Sequence, residues 1–315
     1  MNDLNLESIT AAQARLKGVA VRTPLLQLGG HPKDDIWIKP EVFQPIGSFK
    51  LRGAFNALSL MMGEGPVPSA FTISTGNMSQ AVAWSARHFG IPARAIMPEG
   101  APQTKIDATR SFGATIEFIP RGDLFTAMED DRYQDTPGFV HPFRDKRVAS
   151  GNGTIGLEIL EDLEDVDTVF APLGGGGLAT GIAAAVKSIR PEIQVIGVEP
   201  EGCCAIARSL RSGKLETMEC SGTIVDSAGS PFVFEETLSA VRELLDDVMT
   251  VPDKLTRAAI RQLATKNKIV AEGAAALPVA AALATQPALR GKTVCVVSGG
   301  SIEPSLFAEI LTIGS

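Results

Sequence analysis

Four short stretches carry residues that could do chemistry together. In "GSFKLRGAFNAL" (47–58) a single lysine, Lys50, follows a glycine-serine turn and opens an apolar helix. A lysine is ordinarily a solvated cation on a flexible stem, so Lys50 has a task only if other segments build a site around it. "PLGGGGLATG" (172–181) follows an apolar strand and opens an alanine-rich helix. Its glycines, Gly174, Gly175, Gly176 and Gly177, let the backbone approach a ligand and turn successive N–H groups one way. With a helix dipole behind them, those groups suit a phosphate. One or two glycines would serve a plain tight turn; four in a row favour the anion. No lysine-serine or lysine-threonine pair follows, which disfavours a nucleoside triphosphate. A dinucleotide stays open, because Gly174, Gly176 and Ala179 match the loose GxGxxG/A pattern and Glu199 ends the next strand. "STGNMSQ" (74–80) offers Ser74, Thr75, Asn77 and Ser79 beside the free N–H groups of a helix start, a setting for a small carboxylate. Ser74 or Asn77 would equally serve as an ordinary cap for a helix over 78–89. "VVSGGS" (296–301) puts Ser298 at a strand end, either facing a ring nitrogen or simply in a turn.

A phosphate site, a carboxylate site and a lysine are jointly what pyridoxal 5′-phosphate chemistry needs. The lysine forms the Schiff base, the glycine loop holds the cofactor phosphate, and the other loop holds an amino acid's carboxylate. A nicotinamide enzyme gives Lys50 and the 74–80 loop no comparable joint task.

These loops need elements to carry them. Strands are expected at 35–39, 70–74, 93–97, 114–119, 168–173, 194–199 and 292–298, with helices over 78–89, 102–112, 154–163 and 177–189. Such alternation means parallel sheets covered on both faces, with ligands at the carboxyl ends of the strands. The fold class is therefore α/β, with two open, mostly parallel sheet lobes and a cleft between them. The turn-rich stretch 135–153 is expected to cross between the lobes. The 315 residues are 44% hydrophobic, enough for a sizeable core. A net charge of −7 without a basic tract argues against nucleic acid and anionic membranes. The acidic, polar N-terminus is not a secretory signal, and no apolar run is long enough to span a bilayer. Cys203, Cys204, Cys220 and Cys295 have spacing poor for disulfides or zinc, which fits a reducing cytoplasm. His31, His88 and His141 are scattered, and His88 falls on the polar side of its helix.

At "RTPL" (22–25), "GSFKLRGA" (47–54), "STGNMSQA" (74–81), "GTIGLEIL" (153–160), "GGGGL" (174–178), "GVEP" (197–200) and "SGG" (298–300) the chain resembles the fold-type II pyridoxal-phosphate enzymes, in particular the threonine/serine dehydratase and serine racemase branch. The motifs come in the family's order over nearly the whole chain. The resemblance implies a tryptophan-synthase-β-like architecture. Residues 1–68 and 147–315 would form a large cofactor-binding domain, and 69–146 a small mobile one. It implies that Lys50 carries the Schiff base, Phe49 borders the ring, Asn77 bonds the ring hydroxyl and Ser298 faces the pyridine nitrogen. Gly174, Gly175, Gly176 and Gly177 would bind the phosphate. Ser74, Thr75, Gly76, Asn77 and Met78 would line the substrate carboxylate site, with Thr75 catalytic.

Several departures from the family pattern bear on function. Met78 stands where a histidine is usual. Thr75 keeps a hydroxyl where racemising members resemble one another in a serine. Glu199 begins the family's divalent-metal pattern, but Ala205 stands at the second acid's place, so no metal is expected. "TIVDSAG" (223–229) departs from the usual form after its aspartate. The sequence stops at residue 315, so the regulatory domain of allosteric relatives is not expected. The resemblance implies an ammonia-lyase that converts a β-hydroxy amino acid such as L-threonine or L-serine to a 2-oxo acid and ammonia. It also implies a homodimer acting on an amino-acid substrate. The alternatives are a serine or hydroxyaspartate racemase, a β-replacement enzyme, a nicotinamide-dependent oxidoreductase and a non-catalytic amino-acid-binding module.

Overall fold

The computed structural model describes residues 4–29, 35–129 and 132–312; His31 lies outside them. The strands are β1 (Leu26–Gln27), β2 (Ile36–Pro40), β3 (Ala70–Ile73), β4 (Ala93–Pro98), β5 (Thr115–Ile119), β6 (Thr168–Pro172), β7 (Gln194–Pro200), β8 (Asp247–Val251) and β9 (Thr293–Val297). The helices are α1 (Leu6–Leu16), α2 (Lys50–Glu64), α3 (Asn77–Phe89), α4 (Gln103–Ser111), α5 (Arg121–Glu129), α6 (Lys146–Asp162) and α7 (Ala179–Ile189). They continue with α8 (Ala205–Ser212), α9 (Glu235–Leu244), α10 (Asp253–Gln262), α11 (Gly273–Ala284), α12 (Pro287–Arg290) and α13 (Pro304–Thr312).

Two sheets form. The larger has the order β1-β2-β9-β6-β7-β8, parallel throughout except for the antiparallel edge pair β1–β2. The smaller, β3-β4-β5, is all parallel. In the large sheet, alternate residues enter separate cores. Val169, Ala171, Val294 and Val296 face one cluster with Ile155, Ile159 and Ile182 of α6 and α7. Phe170, Cys295, Val297, Ile36 and Ile38 face the other with α10 and α11. Burial on both faces is what continuous apolar strands require of a parallel sheet. Each expected strand is present, its ends moved by at most one residue. Strand β8 was not expected; its half-buried pattern and leading aspartate suit an edge position beside β7.

Two expectations fail. The stretch 135–153 is not all crossing, because α6 starts at Lys146 and runs through Gly151 and Gly153. These glycines look like turn residues but serve close packing. A Cβ on Gly151 would lie 2.4 Å from the Arg52 carbonyl oxygen of α2, and one on Gly181 of α7 would lie 2.4 Å from that of Ala149. Small residues thus let α2, α6 and α7 touch backbone to backbone. The cysteine reading also fails. Cys203 and Cys220, 17 positions apart, form a disulfide, and only Cys204 and Cys295 are free. The fold brings the pair together, so the spacing argument for a reducing compartment falls. Among the described residues, no helix is long and apolar enough to cross a membrane.

Candidate active site

Parallel strands send their carboxyl ends to one edge, and the site forms there. Lys50 is the first residue of α2, and Ser298 follows β9. The two segments are tied by a bridge between Ser48 and Gly299, with Phe49 N–H donating to Ser298 O (2.9 Å) and Gly300 N–H to Gly47 O (3.0 Å). Gly174–Gly177 follow β6 and lead into α7; Ser74 and Thr75 follow β3 and lead into α3. One cavity is lined by Phe49, Lys50, Ser74, Thr75, Asn77 and Met78, by all four glycines, and by Ser298. Gly76 does not line it; this residue lies beneath the stem of Lys105, whose Cδ would be 2.4 Å from a Cβ placed there.

The Lys50 ammonium donates to Pro142 O at 2.9 Å and sits 5.1 Å from the centre of the Phe49 ring. Burial lowers its pKa to about 8, against the opposing pull of the Glu272 carboxylate. A lysine in this state is a usable base near neutral pH.

The glycine loop is clamped on both sides. A Cβ on Gly175 would lie 2.1 Å from Phe143 Cγ, and one on Gly174 would lie 3.2 Å from Ala228 Cα. Gly176 has φ +91°, the left-handed region that side chains avoid. The strap His141–Phe143 therefore presses one face of the loop while Asp226–Ser230 close the other. His141 is held neutral. Burial, then Arg144 and Lys50, push its pKa to about 3, and its Nδ1 accepts from Phe143 and Arg144 N–H.

Helix α3 is not capped by Ser74 or Asn77. Its N-cap is Gly76, with no side-chain bond; Ser74 Oγ accepts from Gly76 N–H at 3.2 Å. The Asn77 amide instead donates to Glu272 Oε1 at 2.8 Å. Glu272 lines the same cavity and escaped the sequence reading, because an acid before "GAAAL" looks like an ordinary helix start. Burial, reinforced by Asp226 and opposed by Lys105, Asn77 and Ser227, lifts its pKa to about 7. Lys105, Asp226, Ser227 and Phe232 were likewise not assigned. For Asp226 and Ser227 the sequence signal is the unusual "TIVDSAG" (223–229); Phe232 lies just beyond it, and Lys105 has none.

Glu199 stays out of the cavity. It is fully buried, with Oε2 accepting from Ala207 N–H (2.8 Å) at the start of α8, and is unavailable to a ribose. Burial raises its pKa to about 8. Among the described residues, no group of three or more His, Cys, Asp or Glu could hold a metal ion.

The chain is similar to the L-threonine ammonia-lyase of Thermotoga maritima, at 39% identity over 99% of this chain and 79% of that protein. It is as similar (39%) to the catabolic L-threonine dehydratase TdcB of Escherichia coli K12, over 97% and 95% of the two chains. Among solved structures, maize serine racemase superposes with a TM-score of 0.86 at 31% identity, over 97% of this chain and 96% of that one. The T.th. threonine deaminase gives 0.85 at 32%, over 95% and 99%. Residues 16–300 match the family model described as "Pyridoxal-phosphate dependent enzyme", so the chain belongs to that family and its cofactor is pyridoxal phosphate.

Proposed function

We propose that this chain is an ammonia-lyase that converts a β-hydroxy amino acid, L-threonine or L-serine, to a 2-oxo acid and ammonia. The observation that carries the reading is one cavity shared by an amine of lowered pKa, a glycine cradle and a hydroxyl- and amide-bearing loop. Relatives with that activity in their names match over nearly the whole chain.

The residues fit the cofactor. Side chains are excluded from the Gly174–Gly177 cradle, which suits backbone binding of a phosphate. Asn77 Oδ1 and Glu272 Oε2 are buried without a protein partner, as expected of groups waiting for a ligand. In this reading Lys50 holds the cofactor covalently, Phe49 borders its ring, Asn77 meets its ring hydroxyl and Ser298 its ring nitrogen. When bound, the cofactor supplies an electron sink that eases loss of the α-proton and departure of the β-hydroxyl. Once the substrate's amino group has taken its place on the cofactor, the freed Lys50 amine would be the group that takes that α-proton. Ser74, Thr75, Asn77 and Met78 hold the substrate carboxylate at the start of α3, and Gly76, which does not line the cavity, only carries the turn between them. Leu124, Met128, Phe143 and Phe232 wall the cavity and exclude water during proton transfer. Thr75 keeps a hydroxyl on the wall but adds a methyl, which leaves racemisation as the second reading; the chirality of leftover substrate reads it in the same assay.

Residues 69–146 form the smaller, mobile lobe in this proposal, and 1–68 with 147–315 the larger. A homodimer belongs to it by resemblance; a cytoplasmic setting has only the cysteine spacing behind it, and the Cys203–Cys220 pair counts against that. Lys50→Ala should remove the cofactor's Schiff-base absorbance and cut 2-oxo acid formation by about 10³-fold or more. Turnover at the parental rate in that variant would show the role given to Lys50 to be wrong.

A further inference from the structure

Lys105 is the third residue of α4, a short polar helix on the β3–β5 side. A lysine there would normally reach solvent. Instead it is only 2% exposed, and its Nζ lies 2.6 Å from Asp226 Oδ2 and 3.5 Å from Ser227 Oγ. Asp226 and Ser227 belong to the loop that covers the glycine cradle, so the bond runs from one side of the cleft to the other. On its way the lysine stem crosses Gly76, in the middle of the 74–78 loop. No side chain fits at 76, because Lys105 Cδ occupies that space. Two further polar contacts follow the same seam, Asn77 to Glu272 and Thr104 to Glu303. Lys105 both backs the 74–78 loop and pairs with the opposite wall.

We propose that Lys105 is a positioning residue: its ion pair with Asp226 fixes the 74–78 loop against the 226–230 loop, so that an amino acid's carboxylate is held in register with Lys50. The inference rests on the reading of Ser74–Met78 as the carboxylate site. A carboxylate bound at the start of α3 takes its position from that loop, and the loop takes its position from the lysine stem beneath it. Loss of the ammonium leaves Asp226 half-exposed to solvent rather than stranded, so the cost appears in ligand binding more than in folding. Misplacement of the carboxylate moves the reacting carbon away from Lys50 and lowers turnover as well.

The test is a double-mutant cycle on the holoenzyme with Lys105→Gln, Asp226→Asn and both together. Binding of glycine, which has no β-hydroxyl to lose, is read from the change in cofactor absorbance. Cofactor content and melting temperature are measured on each variant. Each single variant should weaken glycine binding about tenfold, and the double variant no more than the weaker single, as for coupled neighbours. Lys105→Arg should restore most of the affinity. The proposal is overturned if Lys105→Gln binds glycine like the parent, or if the two losses multiply in the double variant. Should Lys105→Gln not fold, Asp226→Asn carries the test, and unchanged glycine affinity there overturns it. Because glycine cannot eliminate, a parent that binds glycine but makes no 2-oxo acid from serine or threonine would sink the lyase reading and leave this one to its own result.

Discussion

Two clusters of buried charge flank the start of α2, and they are built differently. Behind it, Arg52 is fully engaged. Nε meets Glu41 Oε2 (2.8 Å), Nη1 meets Glu158 Oε1 (2.6 Å) and Thr154, and Nη2 meets both carboxylates and Val21 O. Lys39 adds a bond to Thr23 O and an ion pair with Glu158. Every carboxylate oxygen of Glu41 and Glu158 has a partner. In front, Glu272 Oε2, Asn77 Oδ1 and Ser48 Oγ are buried with none, and the pKa values of Lys50 and Glu272 are displaced toward neutrality. Complete satisfaction marks the rear cluster as structure. Incomplete satisfaction at the wall of the cavity marks the front cluster as the place a ligand finishes; Glu199 Oε1, equally unpartnered, lines no part of that cavity.

If that contrast is right, the rear cluster fails hardest. Burial alone would lower the pKa of Arg52, but Glu41 and Glu158 more than reverse this and hold the guanidinium charged. Arg52→Met leaves both carboxylates in a dry interior with too few donors, at a cost of about 3–5 kcal/mol. The urea midpoint of the purified protein should drop accordingly. An unchanged midpoint would mean the rear network contributes no more than a surface pair.

The front cluster should respond in the opposite direction. Glu272 has its pKa raised from the usual 4.5 to about 7, chiefly by burial. Between those values the folded chain keeps a proton that the unfolded chain has released. Stability contributed by this group therefore falls as pH rises from about 4.5 to 7, and above 7 the whole penalty is present. Glu272→Gln can still accept from Asn77 but never ionises. The apoenzyme variant should be more stable than its parent at pH 8, approaching about 3 kcal/mol, and close to it at pH 4.5. Unfolding curves at the two pH values check this, and a variant equally affected at both would remove the distinction between the clusters.

The difference between the clusters also governs what was legible in the sequence. The strands could be read because burial on both faces leaves continuous apolar runs. Ser74, Gly174–Gly177 and Ser298 come to one cavity because each follows a strand, where parallel topology collects loops, and Lys50 joins them as the first residue of α2. Glu272 and Lys105 could not be read, since each takes its meaning from a partner far along the chain, Asn77 and Asp226 respectively. The Cys203–Cys220 pair was hidden for the same reason. The first half of α6 was misjudged because its glycines serve neighbouring helices, a use that local composition cannot separate from a turn.

The finest distinction lies in Lys50 itself, which shares the start of α2 with Arg52 but faces the other way. Only a neutral amine can attack the cofactor's aldehyde. With a pKa of about 8 set by burial, and partly offset by Glu272, most of the Lys50 amine is protonated at pH 7 and most is free at pH 9. The rate at which apoenzyme recombines with pyridoxal phosphate should rise about tenfold between those values and then level off. A solvated lysine would keep gaining past pH 10. Stopped-flow absorbance of Schiff-base formation separates the two. A rate that still climbs steeply above pH 9 would place the Lys50 ammonium in water, and with it the front cluster would lose its claim to be an unfinished interior.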